Sequence, residues 1–258
     1  MNSVEQWFKS QNWEVQAFQK QCWKAYLQGK SGMLHAPTGS GKTYALWGGI
    51  VEEISRSKIL PKGLHALWIT PLRALGVEIQ NATQKMISDI NPELQVGLRT
   101  ADTPQSQRTK LLKTPPFGLV TTPESVHVLL GNKEHQKYFK QLRVVVVDEW
   151  HELLGSKRGV QVELALVYLR SIIPNLRVWG ISATLGNKEL AREILLGPTD
   201  NFTVVEAKIQ KKIRVHSLLP KTMERFPWRG HLGTQLLPQV LKIIEKNKST
   251  LIFTNTRA

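Results

Sequence analysis

The sequence predicts an α/β fold built on a mostly parallel sheet, and three observations carry that prediction. Short apolar runs of strand length alternate with longer amphipathic stretches along most of the chain, the pattern of successive βαβ units. The run Val144 to Val147 is four β-branched residues without polar alternation, as expected of a strand covered by helices on both faces. Nearly every polar signature falls just after such a run. In sheets of this kind ligands collect beyond the carboxyl ends of the strands.

The elements follow in order. "FQKQCWKAYL" reads as a helix and makes Cys22, the single cysteine, a packed thiol. "GMLHA" (32–36) is the first strand; a glycine-bearing turn leads from it into a helix from Lys42 to Arg56. "HALWIT" (65–70) precedes a helix from Leu72 to Ser88, and "QVGLRT" (95–100) and "FGLVTT" (117–122) are two further strands. "RVVVVDE" (143–149) comes before a helix from Val160 to Ile173, and "RVWGISAT" (177–184) is the sixth strand. Gly197-Pro198 is a break signal. "FTVVEA", "IRVHSL" and "STLIFTN" then start a new series of strands, which places a domain boundary near residue 200, with 1–200 as the first domain and 201–258 as the start of a second.

Charge narrows the class. The 258 residues carry 35 Lys+Arg against 20 Asp+Glu, a net charge of +15. Residues 201–258 alone hold 11 basic and 3 acidic residues, so over half the excess lies in the last quarter. Such a balance points to a polyanionic partner, nucleic acid before an anionic membrane surface. One cysteine excludes an internal disulfide and fits a reducing compartment. The polar start "MNSVEQWFKSQNWEV" is no signal peptide, and no apolar run has the length of a membrane span. The expectation is a soluble, cytoplasmic protein with no membrane partner.

"GMLHAPTGSGKTYALW" matches a phosphate-binding loop, except that Ala36 stands at the first glycine position. Backbone N–H groups of Thr38, Gly39, Ser40, Gly41 and Lys42 can converge on phosphate oxygens at a helix N-terminus. Lys42 would reach the β- and γ-phosphates of ATP, and the Thr43 hydroxyl would ligate Mg²⁺. A sheet carrying that loop needs an acid on a neighbouring strand end for the same ion, and Asp148 is placed for it. Glu149, one residue on, can orient and deprotonate the attacking water.

With those residues in hand, Asp148-Glu149-Trp150-His151 resembles the DExH box of superfamily 2 helicases. The other motifs of that family follow in order: Gln19 in "FQKQCW" resembles the Q motif, "TPLRALG" (70–76) motif Ia and "TTPES" (121–125) motif Ib. "SAT" (182–184) resembles motif III and "LIFTNTRA" (251–258) motif IV. "VDEWHELLGSKRGVQVELAL" and "PWRGHLG" are similar to the Lhr (large helicase-related) group, and Trp150 inside the box most resembles the bacterial ligase-associated DExH-box helicases.

That resemblance implies a RecA-like first domain and the start of a second one. It further implies an ATP-driven translocase on single-stranded DNA, moving 3′ to 5′ and serving DNA repair, with a DNA ligase among its suggested partners. Gln19 would pair with the adenine. Arg73, Arg99, Thr100, Thr122, Thr254 and Arg257 would meet the nucleic-acid backbone, where contacts position a strand without reading it. On the sequence alone each of those is equally a solvated residue or a cap. His151 and Ser182, Ala183 and Thr184 would couple nucleotide state to strand binding. Of the eight tryptophans, most fall in apolar patterns and read as core; Trp228, among basic residues, is the candidate for base stacking. "GSKRG" (155–159) is the best local basic cluster or a loop of solvated charge. Motifs V and VI of the family are not found in residues 1–258, so this chain is expected to turn ATP over slowly. An RNA-remodelling enzyme and a nucleotide-gated binding module remain the alternatives.

Overall fold

The computed structural model describes residues 3–57, 59–183, 187–209, 214–218 and 232–253, without the side chains of 232–235. The chain divides into two units, Met1–Ile209 and Gln210–Ala258. The first opens with α1 (Ser3–Ser10) and α2 (Ala17–Leu27), then β1 (Ser31–His35) and α3 (Lys42–Ser55). β2 (Ala66–Ile69), α4 (Arg73–Ile90), β3 (Val96–Arg99), α5 (Gln105–Lys113) and β4 (Gly118–Thr121) follow. Next come α6 (Pro123–Leu130), α7 (His135–Phe139), β5 (Val144–Val147), α8 (Trp150–Leu153) and α9 (Lys157–Ile172). β6 (Arg177–Ser182), α10 (Lys188–Leu196) and β7 (Phe202–Glu206) close the unit.

The seven strands form one sheet in the order β3-β4-β2-β5-β6-β1-β7, and every pairing is parallel. The valine run shows why it lacks alternation. Val144 and Val146 enter the core shared with α1 to α4, while Val145 and Val147 enter the core shared with α6 to α10. Burying one such side chain is worth roughly 1.5–3 kcal/mol, so both faces hold β5 at a fixed height in the sheet. Parallel register then aligns the strand ends: His35 lies beside Ser182, and Val147 beside Gly180. The turns after β1, β5 and β6 therefore open on one edge.

Two expectations need correction. "FTVVEA" is not part of a second domain: it forms β7 and pairs with β1 from Ser31↔Phe202 to His35↔Glu206. The amides and carbonyls on that side of β1 would otherwise be left without ladder partners beside a packed core. The break at Gly197-Pro198 ends α10 rather than the domain, and the boundary lies at 209/210. In the second unit, neither Arg214–Leu218 of "IRVHSL" nor residues 249–253 of "STLIFTN" are strands; the rest of both segments lies outside the described residues. Its regular element among the described residues is the helix α11 (Leu232–Lys246). No helix among the described residues is long and apolar enough to cross a membrane.

Candidate active site

After β1 the chain turns through Ala36 to Gly41 before α3 begins at Lys42. Ala36 is buried in the core beneath the turn, which suits a methyl group there, and the left-handed positions fall instead at Gly39 (φ +76°) and Gly41 (φ +84°). At Gly41 a Cβ would stand 2.8 Å from Nε2 of Gln19, so both the backbone angle and the close approach require glycine. The first amides of α3 have no intrahelical acceptor. Ser40 Oγ is buried without a hydrogen-bond partner, an orphan that a phosphate oxygen would satisfy.

Gln19 is buried, with its Oε1 accepting from the Gln16 backbone N–H at 2.9 Å and its Nε2 donating to the Gly41 carbonyl at 3.2 Å. The side chain is thus a strut between the start of α2 and the phosphate loop. Only its second N–H and remaining lone pairs are left for a base.

Asp148 and Glu149 emerge where β5 ends. The Asp148 N–H still donates to Ile69 of β2 at 2.8 Å, which extends the ladder one residue. Its carboxylate is 4% exposed; Oδ1 accepts from the Glu149 N–H at 2.8 Å and Oδ2 from the Trp68 indole N–H at 3.3 Å. Burial and then the neighbouring Glu149 carboxylate push its pKa up to about 6, against the pull of Lys42 and of these two donors. Trp68 is the residue the sequence reading missed: it read as core, and the core is where it lies, but its N–H orients the acid. Only a pairing of β2 with β5 reveals this, and residue spacing carries no sign of it.

Glu149 adopts φ +46°, ψ +46°, a left-handed conformation that costs a non-glycine residue of order 1–3 kcal/mol. Its Oε1 lies 2.8 Å from Lys42 Nζ, in a pair whose side chains are 10% and 16% exposed. His151 reaches both neighbours, with Nδ1 3.1 Å from Ser182 Oγ and 3.5 Å from Glu149 Oε2. Trp150, inside the box, is wholly buried and donates from Nε1 to the Ala191 carbonyl of α10 at 2.9 Å. The structure therefore brings together Lys42, Asp148, Glu149, His151 and Ser182. Ala183 follows half-buried, and Thr184 lies outside the described residues.

The strand-contact candidates divide. Arg73 is exposed and pairs with Asp102 Oδ1 at 2.8 Å, which joins motif Ia to the turn after β3. Thr100 is buried and its Oγ1 accepts from the Asp102 N–H; Thr122 is buried and donates to Ser125 Oγ. Arg99 is buried too, with Nε and Nη1 unpartnered, because the alternation of β3 turns it onto the sheet face that packs beside Leu119. It is no more buried than Thr100 and Thr122, and its two unpartnered nitrogens are donors left for a further acceptor. Thr254, Arg257 and Trp228 lie outside the described residues. Of the other tryptophans Trp13 is exposed and the rest are buried. Cys22 is buried in the core, and burial pushes its thiol far above the ordinary range.

Residues 16–192, more than half of the chain, match the DEAD/DEAH box helicase family. The chain belongs to this family. It is 31% identical, over 98% of its length, to the ATP-dependent helicase Lhr-Core of Sulfolobus acidocaldarius, and 32% identical, over 99%, to that of Methanocaldococcus jannaschii. It spans 30% and 32% of those two proteins. Among solved structures it resembles the Mycobacterium smegmatis helicase Lhr bound to ssDNA and AMP-PNP, with a TM-score of 0.82 and 26% identity over 98% of this chain and 34% of that one. The DUF1998 helicase MrfA shares the fold at a TM-score of 0.75 and 20% identity, over 98% and 38% of the two chains.

The helicase domain of this family hydrolyses ATP, and the α/β RecA-like architecture is the one observed here. The site suits such a nucleotide: a left-handed glycine turn, an orphaned hydroxyl, a lysine held at the helix start and a deep carboxylate. No group of three or more His, Cys, Asp or Glu able to hold a metal occurs among the described residues. A divalent ion at this edge would be completed by phosphate oxygens and water, as magnesium commonly is.

Proposed function

We propose that this chain is the nucleotide-hydrolysing part of an Lhr-type translocase that moves 3′ to 5′ on single-stranded DNA. The observation that carries the reading is the convergence of Lys42 and Glu149, 2.8 Å apart, beside the buried Asp148. Thr38 to Lys42 bind the phosphates; Thr43 and Asp148 would hold Mg²⁺, which would supply positive charge for the transferred phosphoryl group. Glu149, released from Lys42 when phosphates take the lysine, orients and deprotonates water. His151 and Ser182 sense the position of Glu149 through the contacts at 3.5 and 3.1 Å and pass it to the sheet edge.

Support for a nucleic-acid strand is the net charge of +15, and for DNA the Lhr structure solved with ssDNA. Arg73, Arg99, Thr100, Thr122, Thr254 and Arg257 contact the backbone. Residues 210–258 begin a second RecA-like domain. A role in DNA repair beside a ligase, in the cytoplasm, follows from the resemblance to the ligase-associated group. The test is steady-state ATP hydrolysis with oligo-deoxyribonucleotide against oligo-ribonucleotide of the same length. Stimulation by DNA well above RNA is expected. The reverse order makes the enzyme an RNA remodeller, and strand binding without any turnover leaves a nucleotide-gated binding module.

A further inference from the structure

The cluster "GSKRG" carries a residue that the nucleotide site does not use. Arg158 lies in the first turn of α9, whose N-cap Ser156 accepts from the Gly159 N–H at 3.1 Å. Glycine is needed at 159 because a Cβ there would run into the Leu153 carbonyl at the end of α8. This tight junction joins α9 to the helix that directly follows Glu149. Arg158 reaches away from that junction in two directions. Its Nε and Nη2 donate to Glu124 Oε1 and Oε2 at 2.6 and 3.2 Å, and its Nη1 donates to the Pro71 carbonyl at 2.7 Å. Pro71 precedes Arg73 in the motif Ia turn; Glu124 follows Thr122 in the first turn of α6.

We propose that Arg158 is a positioning residue that ties the two strand-contacting turns, at Pro71 and at Thr122–Ser125, to the helix running from the catalytic carboxylates. The inference rests on the nucleic-acid reading above. An exposed ion pair alone would carry little, and the pair here is only part-covered (37% and 52% exposed). The forked geometry is what matters: a planar guanidinium fills both carboxylate oxygens and still reaches a backbone carbonyl on a third element. A lysine ammonium keeps the charge but cannot make three such bonds in fixed directions. The cluster is therefore not a free basic patch, since its arginine is already engaged.

The experiment compares wild type, R158K, R158Q, E124Q and the R158Q/E124Q pair as full 258-residue chains. Labelled oligo-dT binding is followed by anisotropy at several salt concentrations, with thermal melts as the control for folding. The tether predicts roughly tenfold weaker binding for R158K, R158Q and E124Q alike, the double variant no weaker than R158Q, and an unchanged salt slope. A direct phosphate contact by Arg158 predicts the opposite set: R158K close to wild type, E124Q unimpaired, and a slope shallower by about 0.7 in R158Q. That set overturns the tether. If wild type binds and all variants bind as it does, the tether fails while the nucleic-acid reading stands. If wild type binds no strand, both fall. Should R158Q melt early, E124Q, which keeps the size of the side chain it replaces, decides the matter.

Discussion

Replacing Asp148 by asparagine separates what the acid does for stability from what it does for chemistry. Burial, with the Glu149 carboxylate adding to it, raises Asp148 from the ordinary aspartate value of 3.8 to about 6. The unfolded chain releases this proton near 3.8 and the folded chain only near 6. Between those values the folded form binds more protons, so stability falls as pH rises through the window. At roughly 1.4 kcal/mol per tenfold change in proton affinity, the penalty well above pH 6 is about 3 kcal/mol. Asparagine carries no such penalty. It does carry a fixed cost, because Glu149 N–H and Trp68 Nε1–H donate to different oxygens and an amide can accept from only one side; that mismatch is on the order of 1–3 kcal/mol. The fixed cost does not change with pH. Urea unfolding of both chains, followed by tryptophan fluorescence without nucleotide or magnesium, should therefore show D148N gaining about 2 kcal/mol on wild type between pH 4 and pH 7.5, the unfolded carboxyl being already more than half ionised at the lower value. ATP hydrolysis should be lost throughout. Parallel stability curves, or a wild type that gains on the variant as pH rises, would refute the claim that this carboxylate is held at an electrostatic cost.

Three further outcomes follow from the same geometry. Lys42→Ala removes a charge-assisted donor to phosphate, worth about 1.5–3 kcal/mol, so mant-ATP affinity should fall roughly ten- to a hundredfold while oligo-dT affinity in the absence of nucleotide stays within about twofold; unchanged nucleotide affinity would sink the phosphate-loop assignment. Trp68→Phe deletes the indole donor to Asp148 Oδ2, and the magnesium-dependent gain in mant-ATP affinity should shrink by a comparable factor while affinity measured in EDTA holds; equal losses in both conditions would make Trp68 a packing residue only. Single-strand binding should be nearly independent of base sequence and weaken with salt at a log–log slope of about −2 to −4, the rule for a handful of phosphate contacts; a flat response or a strong preference for one sequence would count against backbone contacts.

Much of this was legible in the sequence, and the exceptions share a cause. The valine run, the glycine turn and the acids after β5 are local patterns whose meaning depends on neighbours within a few residues. What escaped depends on partners far away in the chain: Trp68 with Asp148 lie 80 residues apart, and Arg158 with Glu124 34 apart. β7 was legible as a strand but not as part of this sheet, because a Gly-Pro break precedes it and its partner β1 lies far back in the chain. The burial of Arg99 was not legible because the last residue of a short edge strand reads as solvated, whereas the two-residue alternation of β3 turns it inward.

Glu149 is the case in which local rules point the wrong way. Nothing in "VVVVDEWHE" asks for a left-handed residue; glycine or asparagine would be the ordinary choice. The conformation is held from three sides. The Glu149 N–H is bound to Asp148 Oδ1, the following Trp150 is locked into the core and onto Ala191, and the side chain is held by Lys42. Glycine would relieve the strain of order 1–3 kcal/mol but would leave Lys42 without its carboxylate and the proposed reaction without its base. The strain and the ion pair thus belong together. The backbone aims the carboxylate at the lysine, so that under the proposed mechanism a phosphate taking over the lysine would free the carboxylate in place, with no change of backbone needed to bring it to bear.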